Sequence, residues 1–344
     1  MKTSRKCGFL TSFLFYFLGG KFMLKGINTI GNTPMIKINY EYKGEKTYIY
    51  TKLEYYNLSG SIKDRVAFYI IKNAKEKGLL KEEQVIVEAT SGNTGIALSA
   101  LGSYYKHPVV IFMPDWASIE RIKLMKSYGA KVILFSKEDG GFIRCVEEAK
   151  KYAKENDAFL ANQFANEDNF KAHFETTGEE IIKQIPESIG GFVSGVGTGG
   201  TLMGTGKRLK EEYEEFKIIA IEPDKMPLIS KGEIISNHKI EGIGDDFIPD
   251  LVDKKAIDDI ILINDDDAVN MSRLLAKELG LGVGISSGAN FIGSILAREK
   301  LNKSIVTVFA DDNKKYLTTN LSKKIDKNKN FISNQIKLFD YEIV

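Results

Sequence analysis

The chain of 344 residues is poor in the side chains that bind metals and make cross-links. Its two cysteines, Cys7 and Cys145, lie far apart and make no disulfide framework. It has three scattered histidines and no Cys-x-x-Cys pair, so no ligand set with metal spacing is present. This usage fits a reducing compartment, and a cytoplasmic protein is expected. Charge of one sign is also scarce: 48 Lys and Arg stand against 46 Asp and Glu, a formal net charge of +2. That balance gives no field favouring nucleic acid as a partner. Lys and Glu are mixed along most of the chain, the pattern of solvated helix faces. No repeat of solenoid length is present.

Long apolar runs are missing except at the N-terminus. There "MKTSRK" is basic and "CGFLTSFLFYFLGG" is apolar and aromatic. The two resemble the first regions of a signal peptide, but no small-x-small cleavage pattern follows. The run is too short for a comfortable membrane span, so no stable membrane insertion is expected. Residues 1–22 are read either as an apolar leader or as an upstream extension of a chain whose true start is Met23. The second reading is favoured, because the globular pattern begins immediately after Met23. At 43% hydrophobic and 27% charged, the chain is long enough for two domains with real cores.

From Gln84 onward strands and helices alternate. "VIVEA", "VVIFMP" and "KVILF" are short apolar runs that read as strands. "IALSALGSYY" and "ASIERIKLMKSYG" between them read as helices, the second closed by Gly129. A βαβαβ order predicts a parallel sheet with right-handed crossovers. A second block begins near Gly190 with "GGFVSG", a glycine turn and a helix, then adds "KIIAIEP", "DDIILIND" and "SIVTVFADD". The expected fold class is α/β: two domains, each a twisted, mostly parallel sheet flanked by helices, with the functional cleft between them. Residues 23–170 form the N-terminal domain, whose first strands are free to cross to the other sheet. Residues 171–321 form the C-terminal domain. Residues 322–344, rich in Lys and Asn, read as a polar appendage, disordered or docking a short helix.

The glycine turn is "GVGTGGT", with Gly195, Gly197 and Gly200 in G-x-G-x-x-G spacing. A strand-to-helix glycine turn offers free N–H groups and the positive end of a helix, which suits any phosphate. One reading is a dinucleotide site with Glu222 as the ribose acid, hence an NAD-dependent dehydrogenase. Against it, Thr198 and Thr201 add hydroxyl donors that let the loop surround one compact phosphate. Glu222 is also followed by Pro223 in what reads as a strand-end turn. A merely structural tight turn is a third reading.

Upstream, Lys63 in "KLEYYNLSGSIKDR" opens the amphipathic run "DRVAFYIIKNAKEKG". A lysine at a helix start is usually a surface residue, and the positive helix end disfavours its charge. The same effect lowers its pKa, as a nucleophilic lysine requires. The turn "TSGNTG" likewise reads as an ordinary N-cap or as an anion-binding turn. Together with "IGNTPMIKI", "EGIGDDFIPDLVD", "VGISSGAN" and "ADDNKKYLTTNL", these segments form a familiar series. From about Gly26 to Leu321, the chain resembles the cysteine synthase family of pyridoxal-phosphate enzymes, with its cystathionine β-synthase relatives (fold type II).

The resemblance implies a pyridoxal 5′-phosphate-dependent lyase or transferase with its cofactor in the interdomain cleft. Lys63 matches the lysine that bonds to the cofactor and carries the proton of the substrate's α-carbon. Asn93 matches the partner of the cofactor's 3′-oxygen. Thr90, Ser91 and Thr94 match the loop that closes on the substrate carboxylate, and Gln163 resembles a glutamine that also reaches it. Gly197, Thr198, Gly199, Gly200 and Thr201 match the phosphate cup. Ser286 matches the partner of the pyridine nitrogen. A serine hydroxyl is too weak an acid to keep that nitrogen protonated, which favours loss of a β-substituent over transamination. The family reaction implies a small amino acid and sulfide or a thiol as partners, in a homodimer.

Two departures stand out. Leu58 replaces the proline of the family's N-P-x-x-S segment, at a cost in loop stiffness. Asp245-Asp246 replaces the Ala-Gly of typical cysteine synthases. Cystathionine β-synthase relatives carry Tyr-Asp there, so Asp246 has a precedent and Asp245 has none. A carboxylate where acetate-leaving enzymes keep a small apolar side chain points to acid–base work on water or a thiol. The expectation is β-elimination or β-replacement on cysteine or O-acetylserine, leaning to cysteine breakdown with release of hydrogen sulfide. Synthesis of cysteine is the alternative. The histidines, His107, His173 and His238, read as structural or exposed, and the lone Trp116 as core or interface.

Overall fold

The computed structural model describes residues 28–323, 328 and 330–344, so the apolar stretch 1–22 lies outside the described residues. The described chain opens with an antiparallel hairpin, β1 (Met35–Tyr42) and β2 (Glu45–Leu53). Its tight turn is made by Lys43 and Gly44, both left-handed at φ 52° and 84°, the twist that matches two right-handed strands. The chain then crosses to a smaller block. There α1 (Lys63–Glu76) leads to β3 (Ile86–Ala89), α2 (Asn93–Tyr105), β4 (Val109–Pro114) and α3 (Ile119–Ser127). Next come β5 (Lys131–Phe135), α4 (Gly141–Glu155) and the short β6 (Phe159–Leu160). The four strands lie parallel in the order β5-β4-β3-β6.

Two short helices, α5 (Glu167–Ala172) and α6 (Glu179–Gln184), flank a π-helical turn, His173–Gly178. The larger block then runs through β7 (Gly191–Gly195), a second π-helical turn at Thr201–Thr205, α7 (Gly206–Glu212), β8 (Lys217–Pro223) and α8 (Leu228–Lys231). It continues with β9 (Asp259–Ile263), α9 (Asp265–Leu279), α10 (Ile285–Leu301) and β10 (Ile305–Phe309). Its central strands are apolar at nearly every position, as strands covered by helices on both faces must be. One face packs Val193, Ile221 and Ile305 under α9 and α10. The other packs Phe192, Ala220 and Val306 under α6 and the turn into α7. The hairpin joins this sheet, with β2 parallel to β10.

The polar appendage expected over 322–344 instead carries, in its described residues 330–344, a part of the fold. The segment Ile336–Ile343 is a strand, β11, paired antiparallel to β1 at the edge of the large sheet, in the order β11-β1-β2-β10-β7-β8-β9. Alternation explains it: Ile336 and Leu338 point to the core, while Lys337 and Phe339 face out. Just before it, the Asp267 carboxylate of α9 accepts from Ile332 N and Ser333 N and pins the segment.

Candidate active site

The carboxyl ends of the strands in both sheets face one cleft, lined by Lys63, Asn93, Thr198 and Ser286 among others. Lys63 reaches it from the first turn of α1. The turn before it is held rigidly. Ser59 donates from N and Oγ to the Asp64 carboxylate at 2.9 and 2.6 Å, and Lys315 Nζ donates to Gly60 O at 2.7 Å. Deeper still, Arg65 makes bidentate pairs with Glu54 (2.7 and 2.9 Å) and Glu180 (2.6 and 2.7 Å), tying α1 to the end of β2 and to α6. Burial lowers the Lys63 pKa to about 8, against the opposing pull of Asp245 and Asp311. Desolvation, more than the helix end, therefore prepares this amine.

The turn after β3 brings Thr90, Ser91, Asn93 and Thr94 to the cleft wall. Thr90 Oγ1 accepts from Gly92 N at 3.1 Å. Thr94 Oγ1 donates to Gln163 Oε1 at 2.5 Å, and Gln163 Nε2 donates to Ala89 O at 3.1 Å. Gln163 is thereby fixed beside the turn, with Glu88 accepting from its backbone N–H. Asn93 Nδ2 donates to Asp311 Oδ2 at 2.8 Å, while its buried Oδ1 has no protein partner.

Opposite lies the glycine turn. Gly197, Thr198 and Thr201 line the cleft. Gly199 and Gly200 shape the turn from behind: Gly199 has φ 85° and packs on Val252, and a Cβ on Gly200 would collide with the Asn169 amide. Residues that sequence reasoning did not assign to the site orient the two hydroxyls. Asn169 Nδ2 donates to Thr198 Oγ1 at 2.9 Å, and His173 Nε2 lies 3.1 Å from Thr201 Oγ1. Burial and the nearby cations keep His173 neutral. No short-range pattern marks Asn169 or His173, because both come from the segment between the sheets.

Ser286 enters on the first turn of α10, and Asp245 on the loop 241–246, which Gly242 and Gly244 bend inward at φ 88° and 70°. Burial raises the Asp245 carboxyl to about 6; Asp246 adds to the rise and Lys63 opposes it. Asp246 itself is exposed. Glu222, read as a ribose acid in the dinucleotide alternative, has its carboxylate committed to backbone N–H groups. It accepts from Ile229 N at 2.6 Å and Ser230 N at 3.0 Å, capping α8. Trp116 stands at the outer mouth of the cleft, 50% exposed. Among the described residues no cluster of metal-binding side chains occurs, and no helix is long and apolar enough to cross a membrane.

The donor set fits pyridoxal phosphate. An amine of lowered pKa suits its aldehyde. A turn of free N–H groups and two oriented hydroxyls suits one phosphate, and the buried Asn93 Oδ1, which has no protein hydrogen-bond partner, suits a donor on the ring. A Cβ on Gly197 would collide with Gly242 O, so the turn is closed to larger residues.

Comparison with known proteins agrees. The chain belongs to the pyridoxal-phosphate dependent enzyme family, which matches residues 27–311. Within it the relatives are those of the cysteine synthase group. The cysteine synthase of Staphylococcus aureus is 40% identical over 295 residues, 85% of this chain and 94% of that one. A hydrogen sulfide-producing enzyme from Fusobacterium nucleatum is 50% identical, with a TM-score of 0.88 over 92% of this chain and 97% of that one. An aspartate-to-asparagine mutant of the hydrogen sulfide-producing enzyme, solved with an α-aminoacrylate intermediate, superposes with a TM-score of 0.89. A cysteine synthase from Entamoeba histolytica is 37% identical, with a TM-score of 0.80 over 93% of this chain and 98% of that one. The protein is thus a pyridoxal-phosphate enzyme of β-elimination and β-replacement.

Proposed function

We propose that the protein breaks down cysteine, releasing hydrogen sulfide, with water or a thiol adding at the β-carbon to give serine or a thioether. The observation that carries this reading is the Asp245 carboxyl in the same cleft as Lys63. Pyridoxal 5′-phosphate, when bound, supplies the electron sink for the α-carbon. Lys63, Asn93, Ser286 and the turn of Gly197, Thr198, Gly199, Gly200 and Thr201 would hold it. Thr90, Ser91, Thr94 and Gln163 bind and orient the substrate carboxylate, using hydroxyl, amide and backbone N–H donors. Lys63 takes the α-proton and later returns it. The sulfur leaves with its bonding electrons and its thiol hydrogen as hydrosulfide, and the proton that Asp245 takes from water completes hydrogen sulfide. Asp245 then takes a proton from the water that adds at the β-carbon, so that cysteine and water become serine and hydrogen sulfide. A carboxyl with a pKa of about 6 is ionised at neutral pH and can act as that base.

The second reading, synthesis of cysteine from O-acetylserine and sulfide, draws on the cysteine synthase relatives. The negative charge of Asp245 beside the site disfavours a departing acetate. To choose between them, the holoenzyme is given cysteine, serine and O-acetylserine separately, and sulfide and amino-acid products are measured. Sulfide and serine from cysteine support the first reading. Turnover of O-acetylserine with sulfide, and none of cysteine, rejects it. We further propose a cytoplasmic homodimer. Large apolar side chains such as Tyr56, Tyr104 and Leu317 are more than half exposed on the single chain, area a second copy would cover.

A further inference from the structure

Arg121 lines the cleft, yet no step above uses it. It rises from the first turn of α3 and is 2% exposed. Its guanidinium meets several walls of the site. It pairs with Glu241, at the start of the loop that carries Asp245. Its Nη1 also lies 3.5 Å from Ser91 O. Its side chain passes so close to the turn after β3 that a Cβ on Gly92 would stand 2.7 Å from Arg121 Cδ. Its Cζ sits 4.5 Å from the centre of the Tyr316 ring, a cation over an aromatic face.

The chain of contacts continues. Tyr316 OH donates to Asp311 Oδ2 at 2.5 Å, and the same oxygen accepts from Asn93 Nδ2 at 2.8 Å. Asp311 Oδ2 accepts from both, which fixes the end of the Asn93 amide that is committed to it. Asn93 Oδ1 is left without a protein partner. Stability does not account for Arg121. Its Nε is buried without a hydrogen-bond partner, and an apolar side chain would fill the space without desolvating a charge.

We propose that Arg121 is a positioning residue that holds the turn 91–94, the loop 241–246 and, through Tyr316 and Asp311, the Asn93 amide in one register. The part concerning Asp245 rests on the reading of that residue as the base. The parts concerning the turn and Asn93 do not.

The test compares Arg121→Met, Glu241→Gln and the double variant, each as holoenzyme, using whichever amino acid the protein turns over. Arg121→Met is expected to raise KM about tenfold and to lower kcat/KM about 100-fold, the cost of a small misplacement at a reacting centre. It is also expected to shift the cofactor's visible absorbance with no substrate present, because Asn93 loses its anchor. Glu241→Gln should act in the same sense, and the double variant should lose about tenfold less than the product of the two. An unchanged KM and spectrum in Arg121→Met, with only a lowered Tm, makes the residue mere packing and overturns the proposal. So do independent, multiplicative losses in the double variant. Should Arg121→Met fail to fold, Glu241→Gln, at a partly exposed position, carries the same two readouts. The substrate-free spectrum tests Arg121 whatever becomes of Asp245. Unchanged sulfide release in Asp245→Asn sinks only the reading of Asp245.

Discussion

Replacing Asp245 by asparagine keeps the size of the side chain and removes its proton chemistry. The wild-type carboxyl, lifted to about 6 by burial and by Asp246, must be ionised to take a proton from water. Activity should therefore rise with pH through about 6 and level off at neutral pH. At pH 5 about one tenth of the carboxyl is ionised, so serine formation should fall about tenfold there. The asparagine variant has no such group. Its rate at neutral pH should drop by about 10² to 10³-fold, the usual contribution of a positioned general base. The limb near pH 6 should vanish with it. Asp246→Asn makes the complementary perturbation. It removes a like charge, lowers the Asp245 pKa and moves the limb to lower pH while leaving the plateau high. The assay is the initial rate of sulfide and serine formation from cysteine across the acid and neutral range. An asparagine variant within twofold of wild type, or one that keeps the limb, refutes the role given to Asp245.

Three further outcomes are expected. Lys63→Met should abolish the covalent cofactor chromophore. Its apoprotein should also unfold at a higher temperature than the wild-type apoprotein at pH 7. The folded pKa of Lys63, about 8, lies below the unfolded value, so the destabilisation is present in full below pH 8 and fades as pH rises toward about 10.5. Equal melting temperatures at pH 7 would count against the burial argument. Gly200→Ala drives a methyl into Asn169, which orients Thr198; the expected result is cofactor binding weakened at least tenfold, read by dialysis and absorbance. Arg65→Met leaves the buried Glu54 carboxylate without its paired cation, while Lys52 still pairs with Glu180, and should cost about 3–5 kcal/mol in denaturant unfolding. A loss below about 1 kcal/mol would show the ion network to be dispensable.

Much of the fold is written locally. The runs that become β3, β4 and β5 are short and apolar, and the helices between them carry their own stop signals, so a parallel sheet follows from pattern alone. The tail misled because Lys and Asn surround it, although the alternation in "IKLFDYEI" carries the signal of a half-buried strand. In the site, Lys63, the 90–94 turn and the glycine loop are legible because their chemistry needs neighbouring residues in sequence. Asn169, His173 and Asp311 are not, since each acts on a residue that only the folded chain brings near. Arg121 was hidden for another reason. On an amphipathic helix it looks like one more solvated cation, and only its burial distinguishes it.

The pairing of Ile36 with Ile343 joins the first and last strands of the described fold. During synthesis the ribosome completes β1 long before it makes β11. Until then the outer edge of β1 is an open row of backbone donors and acceptors, free to recruit another chain. A premature stop before Phe331 would leave every cleft residue in place and this edge permanently uncovered. Such a protein would fail by aggregation before it failed as a catalyst, and its inclusion bodies would say nothing about the active site.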